Sequence, residues 1–334
     1  MIKANRIFLI LLLLIACQPQ EKYELNEEVM ASLGSKFKTA FSVGLPDLEA
    51  QIKADSTNMY ALLGLSETKI FLYIFGYSSR EETLPVAREA YQAARRIDPL
   101  NSGVQKLTGV FNLLDWKWSE VEPAFQKAIQ ADPQNLNARH WYSLYLASMG
   151  RFDEAMAQHD TIATMDTNED YLVGRGSMMY FARRNEELKQ LMLKAVAKDT
   201  TAPWGYDWLG MAYCELEDFN NSLETYFKAF ELSDGTVEVG GGLGHALGLA
   251  GKYDLAKQMA DYYTLAAEDH YLPPVQRAFI HIGIGEYDIA IELLERAYNE
   301  KSWFLVFIRV EPWFDPIRDD KRFADIMSRM EFPD

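Results

Sequence analysis

The sequence predicts an all-α protein built from about seven repeated helix pairs, and two rows of residues support this prediction. Small or apolar residues recur every 34 residues, once every 33, at Ala87, Val121, Ala155, Leu188, Ser222, Ala256 and Ala290. A second row lies seven residues further on in the same register, at Ala94, Ala128, Ile162, Ala195, Ala229, Tyr263 and Ala297. A fixed period of this length is typical of a solenoid, in which each unit packs on its neighbours.

Turn-forming and helix-ending residues divide each period into a first helix, a tight turn and a second helix. The predicted turn lies five residues before the first row, at Gly150, Glu217, Gly251 and Gly285. Asp98-Pro99 and Asp132-Pro133 are expected to end second helices, because proline cannot continue a helix. Small residues in the two rows allow facing helices to approach to about 8–10 Å.

One unit carries the fullest signature of aromatic, Leu-Gly, aromatic, small residue, aromatic and Ala: Tyr206, Leu209, Gly210, Tyr213, Ser222, Tyr226 and Ala229. This pattern resembles the tetratricopeptide repeat (TPR), with serine where alanine is usual. The resemblance implies a right-handed superhelical solenoid of about seven units with a C-terminal capping segment. The units are expected between Asn58 and Tyr298, the first with an insertion around 74–82, and 47–55 is similar to the second helix of an eroded unit.

A narrower resemblance lies in Asp115-Trp116-Lys117-Trp118, in His140-Trp141-Tyr142 and in the tail from Trp303 to Phe332. These segments are similar to the TPR block of certain bacterial regulators, where it follows a winged-helix, adenylate cyclase or kinase domain. The residues before the first predicted helices contain no glycine-rich phosphate loop and no recognition helix. The sequence therefore predicts the repeat block without that effector, and Trp116 and Trp118 are interpreted as packing residues.

The N-terminus has the pattern of a bacterial lipoprotein signal. Lys3 and Arg6 precede an apolar run of ten residues, which is too short to span a bilayer. The run ends in Leu14-Ile15-Ala16-Cys17, which resembles a lipobox and implies cleavage before Cys17 and acylation of its thiol. Gln18 stands where an Asp would resemble an inner-membrane retention signal, so the outer membrane of a Gram-negative bacterium is favoured. The alternative is an ordinary signal peptide with a chance cysteine.

These patterns divide the chain into five segments. They are a signal peptide (1–16), a lipidated N-terminus with a polar tether (17–32), a degenerate first repeat or N-terminal cap (33–57), the TPR array (58–299) and a C-terminal cap (300–334). The partition predicts a protein held at a membrane by its lipid anchor, on either the periplasmic or the surface face.

Charge and motifs exclude several functions. The 33 Lys+Arg against 49 Asp+Glu give a formal net charge of -16, which repels nucleic acid. The five histidines include no zinc-protease motif, and the glycine run 240–244 lies on a predicted helix, where a close crossing or a local weakness explains it better than a phosphate loop. Cys214 is expected near an exposed helix position without a base beside it. No catalytic residue, metal site or cofactor is predicted.

The remaining candidate surface is the concave groove formed by the first helix of each unit. The shared register predicts that its partner-binding residues are Asn137, His140, Tyr180, Trp204, Asp207, Met211, Glu215 and Phe279. None of them is Lys or Arg, which disfavours a clamp for an acidic peptide end and favours a protein or peptide partner with an apolar or basic segment.

The sequence thus predicts a non-enzymatic interaction scaffold in a bacterial envelope. The alternative is an enzyme or a small-molecule-binding envelope protein whose site is not visible in the sequence. Some of the aromatic groove residues are also compatible with simple packing between neighbouring helices.

Overall fold

Paired helices account for most of the chain. The computed structural model describes residues 23–166 and 171–333, and every regular element in those ranges is helical. Three helices precede the repeats: α1 (Glu27–Ser32), α2 (Ser35–Ser42) and α3 (Leu45–Ala54). The predicted signal peptide, Cys17 and the beginning of the predicted tether lie outside the described residues.

Seven helix pairs follow, and each contacts the next. Units one to seven are α4 (Met59–Ile74) with α5 (Arg80–Ile97), α6 (Ser102–Leu114) with α7 (Trp118–Ala131), α8 (Leu136–Ser148) with α9 (Phe152–Met165), α10 (Leu172–Phe181) with α11 (Asn185–Lys198), α12 (Pro203–Glu215) with α13 (Phe219–Leu232), α14 (Val237–Leu249) with α15 (Tyr253–Ala266), and α16 (Pro274–Gly283) with α17 (Tyr287–Asn299). Two 3-10 segments (Trp303–Phe307, Pro312–Ile317) and α18 (Lys321–Arg329) end the chain.

Local chemistry explains where these helices begin and end. Helices α5 and α7 end immediately before Asp98 and Asp132, as the Asp-Pro pairs predict. In the turns between paired helices the left-handed backbone is adopted by Gly150, Gly251 and Gly285, a conformation that glycine reaches without a Cβ clash. The predicted helix-turn-helix units are confirmed.

The two predicted rows form the packing layer between paired helices. All seven members of the first row are buried. In the second row only Ala195 is partly exposed. The glycine run of α14 lies in a close helix crossing, as expected: a Cβ on Gly244 would lie 2.7 Å from Ile280 Cγ1, and one on Gly248 would lie 2.4 Å from the carbonyl carbon of Gly283.

Units one and two contact unit seven and the residues that follow it. The Tyr73 hydroxyl in unit one donates to the Lys301 carbonyl at 2.7 Å, just after unit seven. Trp116 packs on Tyr298 with ring centroids 5.4 Å apart, and Trp118 Nε1 donates to the Met330 carbonyl at 2.7 Å. The expectation that both tryptophans are packing residues is therefore confirmed.

The folded part also reaches into the segment for which sequence predicts a polar tether. Tyr23 is buried because its ring stacks on Phe227 at 5.2 Å, and its hydroxyl donates to the Asn220 carbonyl at 3.3 Å. Met30 of α1 is buried as well. Residues 23–32 therefore pack on the array, in contrast to the extended role expected for them.

The expectation that Cys214 lies near an exposed helix position is also wrong. Cys214 is only 3% exposed, and its thiol faces Ser222 on the paired helix α13. Burial raises the pKa of its thiol to about 12, so the group is neutral at physiological pH.

Candidate functional site

The first helices of the units line the inner wall of the array, which holds the predicted partner-binding residues. Residues 302–320, here called the C-terminal strap, run across this wall. Trp303 packs edge-on against Trp141 of unit three at 5.5 Å, and Phe307 stacks on Phe181 of unit four at 4.6 Å. The strap therefore covers part of the groove that sequence predicts for a partner.

Trp313 is the main contact of the strap with units six and seven. Its ring stacks on His245 at 4.3 Å and meets the Phe279 ring edge-on at 4.9 Å. His245 Nδ1 lies 2.9 Å from the Phe279 carbonyl, which fixes the ring. Burial lowers the pKa of His245 to about 4, so the stacked imidazole is neutral at pH 7.

A buried hydrogen bond ties the strap to unit four. The Tyr180 hydroxyl donates to Glu311 Oε1, which also accepts from the backbone N–H of Trp313 at 3.1 Å. Burial raises the pKa of Glu311 to about 7 and that of Tyr180 well above its ordinary value. Tyr180 is fully buried, so it is a strap contact in this conformation.

Trp204 lies in an aromatic cluster with the N-terminal part of the chain. Its ring is 5.5 Å from Phe75 of unit one and 6.2 Å from Phe37 of α2. Lys36 beside this cluster pairs with Asp234 at 2.8 Å, which attaches α2 to unit six. Trp204 remains partly exposed.

Two carboxyl groups lie on the inner wall of units five and six without a basic partner. Asp207 is 2% exposed, and its Oδ1 receives no hydrogen bond from any described residue. Burial raises its pKa to about 7. Burial and the Asp207 charge raise the pKa of Glu238 to about 8. The buried hydroxyl of Tyr226, whose pKa Asp207 also affects, is likewise unsatisfied among the described residues.

A second polar cluster lies between the two helices of unit three. The rings of His140 and His159 meet edge-on at 5.5 Å, and burial lowers their pKa values to about 4 and about 3. Ser143 Oγ lies 3.1 Å from His159 Nε2 but donates to the His140 carbonyl at 2.6 Å. Since that bond uses the hydroxyl proton, Ser143 is not poised as a nucleophile with His159 as its base.

The eight predicted partner-binding residues therefore differ in accessibility. Asn137 is exposed, and His140, Trp204, Met211 and Glu215 are half-buried. Tyr180, Asp207 and Phe279 are buried. Of the buried three, Tyr180 and Phe279 contact the strap through Glu311 and Trp313.

Two features of the inner wall and its surroundings were missed by sequence reasoning. Glu311 joins the wall from a segment outside the repeat register, which no periodic signal reveals. Arg277 has a visible signal, because it occupies the position at which Leu243 and Leu209 stand one and two periods earlier, respectively.

The described residues include no group of three or more His, Cys, Asp or Glu side chains arranged to hold a metal ion. Within the same part of the chain, no helix combines the length and apolar character needed to cross a bilayer. The chemistry available on the wall is thus aromatic contact, carboxyl groups and a few amide or imidazole groups.

No protein-family model and no curated protein matches the chain. Solved structures do match. In the APC/C hetero-tetramer Cut9–Hcn1, the match has a TM-score of 0.58 and 18% identity and covers 87% of this chain and 53% of that chain. Yeast Tom70 matches with a TM-score of 0.50 and 16% identity, covering 93% and 69%.

A tetratricopeptide repeat protein from Parabacteroides merdae matches with a TM-score of 0.50 and 14% identity, over 80% of this chain and 97% of that one. The present chain spans about half the length of the Cut9–Hcn1 chain that it matches. The helix pairs and these neighbours define an all-α repeat solenoid. Within that class, the chain has the tetratricopeptide repeat fold, with seven units and a C-terminal strap.

Proposed function

We propose that the protein is a membrane-anchored interaction scaffold of a bacterial envelope, which binds a protein or peptide partner on the inner wall of its repeats. The single observation that carries the proposal is a solenoid wall bearing aromatic rings and carboxyl groups without a basic counterpart, of which Asp207 and Glu238 are the clearest. Stacked repeats offer such walls as extended binding surfaces.

The composition of the wall favours a partner segment that is apolar or basic. Burial raises the pKa of Glu215, which lies half-buried on α12 one turn after Met211. A basic side chain that approached these carboxyl groups would favour their charged forms and gain an attractive interaction in return. Initial contact falls to the accessible residues Asn137, His140, Met211 and Glu215, and access to Tyr180 and Phe279 requires displacement of the strap.

Affinity purification of the full chain from detergent-solubilised membranes tests the scaffold role. A stoichiometric protein companion is expected. Met211→Glu should then weaken its binding by about tenfold or more, because it places a charge at an apolar contact. Met165→Glu is the matched control, since Met165 is 40% exposed at the end of α9 and is not one of the predicted groove residues.

Both variants should keep the helix content of the parent by circular dichroism. If the companion binds Met211→Glu unchanged and loses affinity for Met165→Glu, the binding surface is not the inner wall. If no companion is recovered with the parent chain, the scaffold proposal itself is wrong.

Membrane attachment is proposed to depend on Cys17, which the lipobox-like segment makes the acylation site. Acyl chains contribute about 0.8 kcal/mol per buried CH2, so multiple chains anchor a protein durably. Cys17→Ala should leave the precursor uncut or release the protein from the membrane fraction. Recovery of a processed Cys17→Ala protein in the outer membrane would contradict the anchor.

A further inference from the structure

The outer face of the array carries a cavity of about 650 Å³ between units six and seven. Helices α15 and α17 form its walls and α16 forms its floor, so it lies on the side opposite to the inner wall. Its charged or polar lining residues are Lys257, Asp261, Thr264, Arg277, His281, Glu286 and Glu292. Cavities of this size hold small organic ligands or a few residues of a peptide.

Arg277 on the cavity floor is a buried cation without a carboxylate partner. It is 8% exposed, and no described Asp or Glu lies within ion-pair distance of its guanidinium. Its only hydrogen bond runs from Nη2 to Thr264 Oγ1 at 3.2 Å, and Nε has no partner among the described residues. Buried arginines are nearly always paired, because removing the charge from water is costly.

Two carboxylates near Arg277, Glu286 and Glu300, already have basic partners. Glu286 accepts from His281 Nδ1 at 2.9 Å and pairs with Lys257 at 3.5 Å. Glu300, the carboxylate whose charge favours ionised Arg277, pairs with Arg296 Nε at 2.6 Å. Burial, together with the charge of Arg296, lowers the pKa of Arg277.

The repeat register supplies a direct comparison. Arg175 stands in unit four where Arg277 stands in unit seven, 13 residues before the first-row members Leu188 and Ala290. Arg175 pairs with Asp160 on the preceding outer helix. The equivalent of Asp160 in unit six is Asp261, five residues after Ala256, and it lines the cavity without pairing with Arg277.

In units five and six the same position is apolar, with Leu209 and Leu243. Packing alone is therefore satisfied by leucine at this place, and nothing in the repeat fold calls for a guanidinium. A planar guanidinium with free N–H groups at the floor of a cavity is suited to bind a carboxylate in a bidentate manner.

We propose that this outer cavity binds the carboxylate of an amino acid, either free or at the C-terminal end of a peptide, with Arg277 as the residue that holds the carboxylate. Asp261 and Glu292 are exposed at the rim and attract an ammonium or a basic side chain of the same ligand. The site is separate from the inner wall and does not depend on the scaffold function.

Isothermal titration calorimetry on the full chain tests the proposal with three probes: L-lysine, L-leucine and the tripeptide Gly-Lys-Leu, each beside its C-terminal amide. At least one free acid should bind, and its amide should bind about tenfold more weakly or not at all. Binding of a free amino acid identifies a metabolite-sized ligand, whereas binding of the tripeptide alone identifies a peptide end.

Arg277→Leu should abolish this binding and still fold, because leucine is the residue of units five and six at the same position. Arg175→Leu is the matched control and should bind as the parent does. The proposal is overturned if none of the three acids binds, if acid and amide bind equally, or if Arg277→Leu retains the affinity of the parent. Equal losses in Arg277→Leu and Arg175→Leu would also overturn it, since they would indicate a general structural effect.

Discussion

Units three and four differ from units five to seven in how they accommodate buried polar groups. In unit three the imidazoles of His140 and His159 are neutral. Arg175 of unit four pairs with Asp160 of unit three. In the later units, Asp207 has no basic neighbour and Arg277 has no acidic partner. Units five to seven have the same repeat fold as units three and four. They nevertheless carry an unpaired carboxyl group, Asp207, on the inner wall and an unpaired guanidinium, Arg277, on the outer face.

Units five to seven therefore contain buried polar groups that the stability of the fold does not require. Leaving a buried carboxyl or guanidinium unpaired costs free energy that an apolar side chain would not cost. Units five to seven carry both kinds of group, one toward the inner wall and one toward the outer cavity. These units are therefore the region in which we expect ligands and partners to act.

The largest expected effect concerns helix packing at the later junction. Gly248→Ala should lower the free energy of unfolding by about 2–3 kcal/mol, because the added Cβ would meet the fixed backbone of Gly283. Gly174→Ala at the earlier junction should cost less than about 1 kcal/mol, since its Cβ meets the His140 side chain, which can move. Chemical denaturation measures the free energy of unfolding of both variants. Equal losses of stability would contradict the expected difference between the two helix contacts.

Asp207 should make the later units less stable as pH rises. Its pKa is about 7 in the folded chain and near 4 when unfolded, so the folded state holds the extra proton between these values. Stability from this group is full below pH 4 and is lost as pH rises through 7. Asp207→Asn should therefore stabilise the protein by about 2 kcal/mol at pH 8 and much less at pH 4.

Thermal melts of Asp207→Asn across this pH range check the prediction. Asp254→Asn, at an exposed position on α15, provides the control and should change the melting temperature little at any pH. A constant difference between Asp207→Asn and the parent from pH 4 to pH 8 would contradict the assigned ionisation.

The two histidines of unit three predict the opposite pH dependence. The folded pKa of His140 is about 4, below its unfolded value near 6.5, so acid protonates the unfolded chain first. Stability from this group is present above pH 6.5 and is lost as pH falls toward 4. His140→Gln should therefore be about 1 kcal/mol more stable than the parent at pH 4.5 and nearly equal to it at pH 8. Denaturant melts at the two pH values compare them, and equal shifts would count against a buried neutral imidazole.

The smallest expected effect contrasts the two arginines. Arg277→Leu should raise the free energy of unfolding by about 0.5–1 kcal/mol at neutral pH, because it removes a buried, unpaired charge. Arg175→Leu should lower it by a few tenths of a kcal/mol, because it breaks a partly exposed ion pair. Denaturant melts should give changes in the free energy of unfolding of opposite sign for the two variants. A loss of stability in Arg277→Leu would show that the guanidinium is structurally required.

The repeat fold could be predicted from the sequence because its signals are local and periodic. The Asp98-Pro99 break, the turn glycines and the two rows each specify a contact within one unit or between neighbours. Even the close crossing at Gly244 follows from its place in the register. These features are confirmed because packing between adjacent helices depends on residue size at fixed spacing.

The accessibility of the candidate site could not be predicted in the same way. Contacts such as Tyr180 with Glu311 and Tyr23 with Phe227 join residues 131 and 204 positions apart, which leave no periodic mark. The burial of Cys214 likewise depends on which side of α12 faces the neighbouring helices. The register assigns the predicted groove residues to the first helices of the units, but the burial of Tyr180 and Phe279 depends on the strap.

If Cys17 is acylated as proposed, the packing of Tyr23 on Phe227 limits the distance between the array and the membrane. Five residues lie between Cys17 and Tyr23, and the six Cα–Cα steps of an extended chain span at most about 3.6 Å each, or about 22 Å in all. With acylation at Cys17, the outer helix of unit five would therefore be held within about that distance of the lipid surface. Such a short linker would limit the orientations of the solenoid relative to the membrane. Envelope partners would therefore meet the array in a restricted set of orientations.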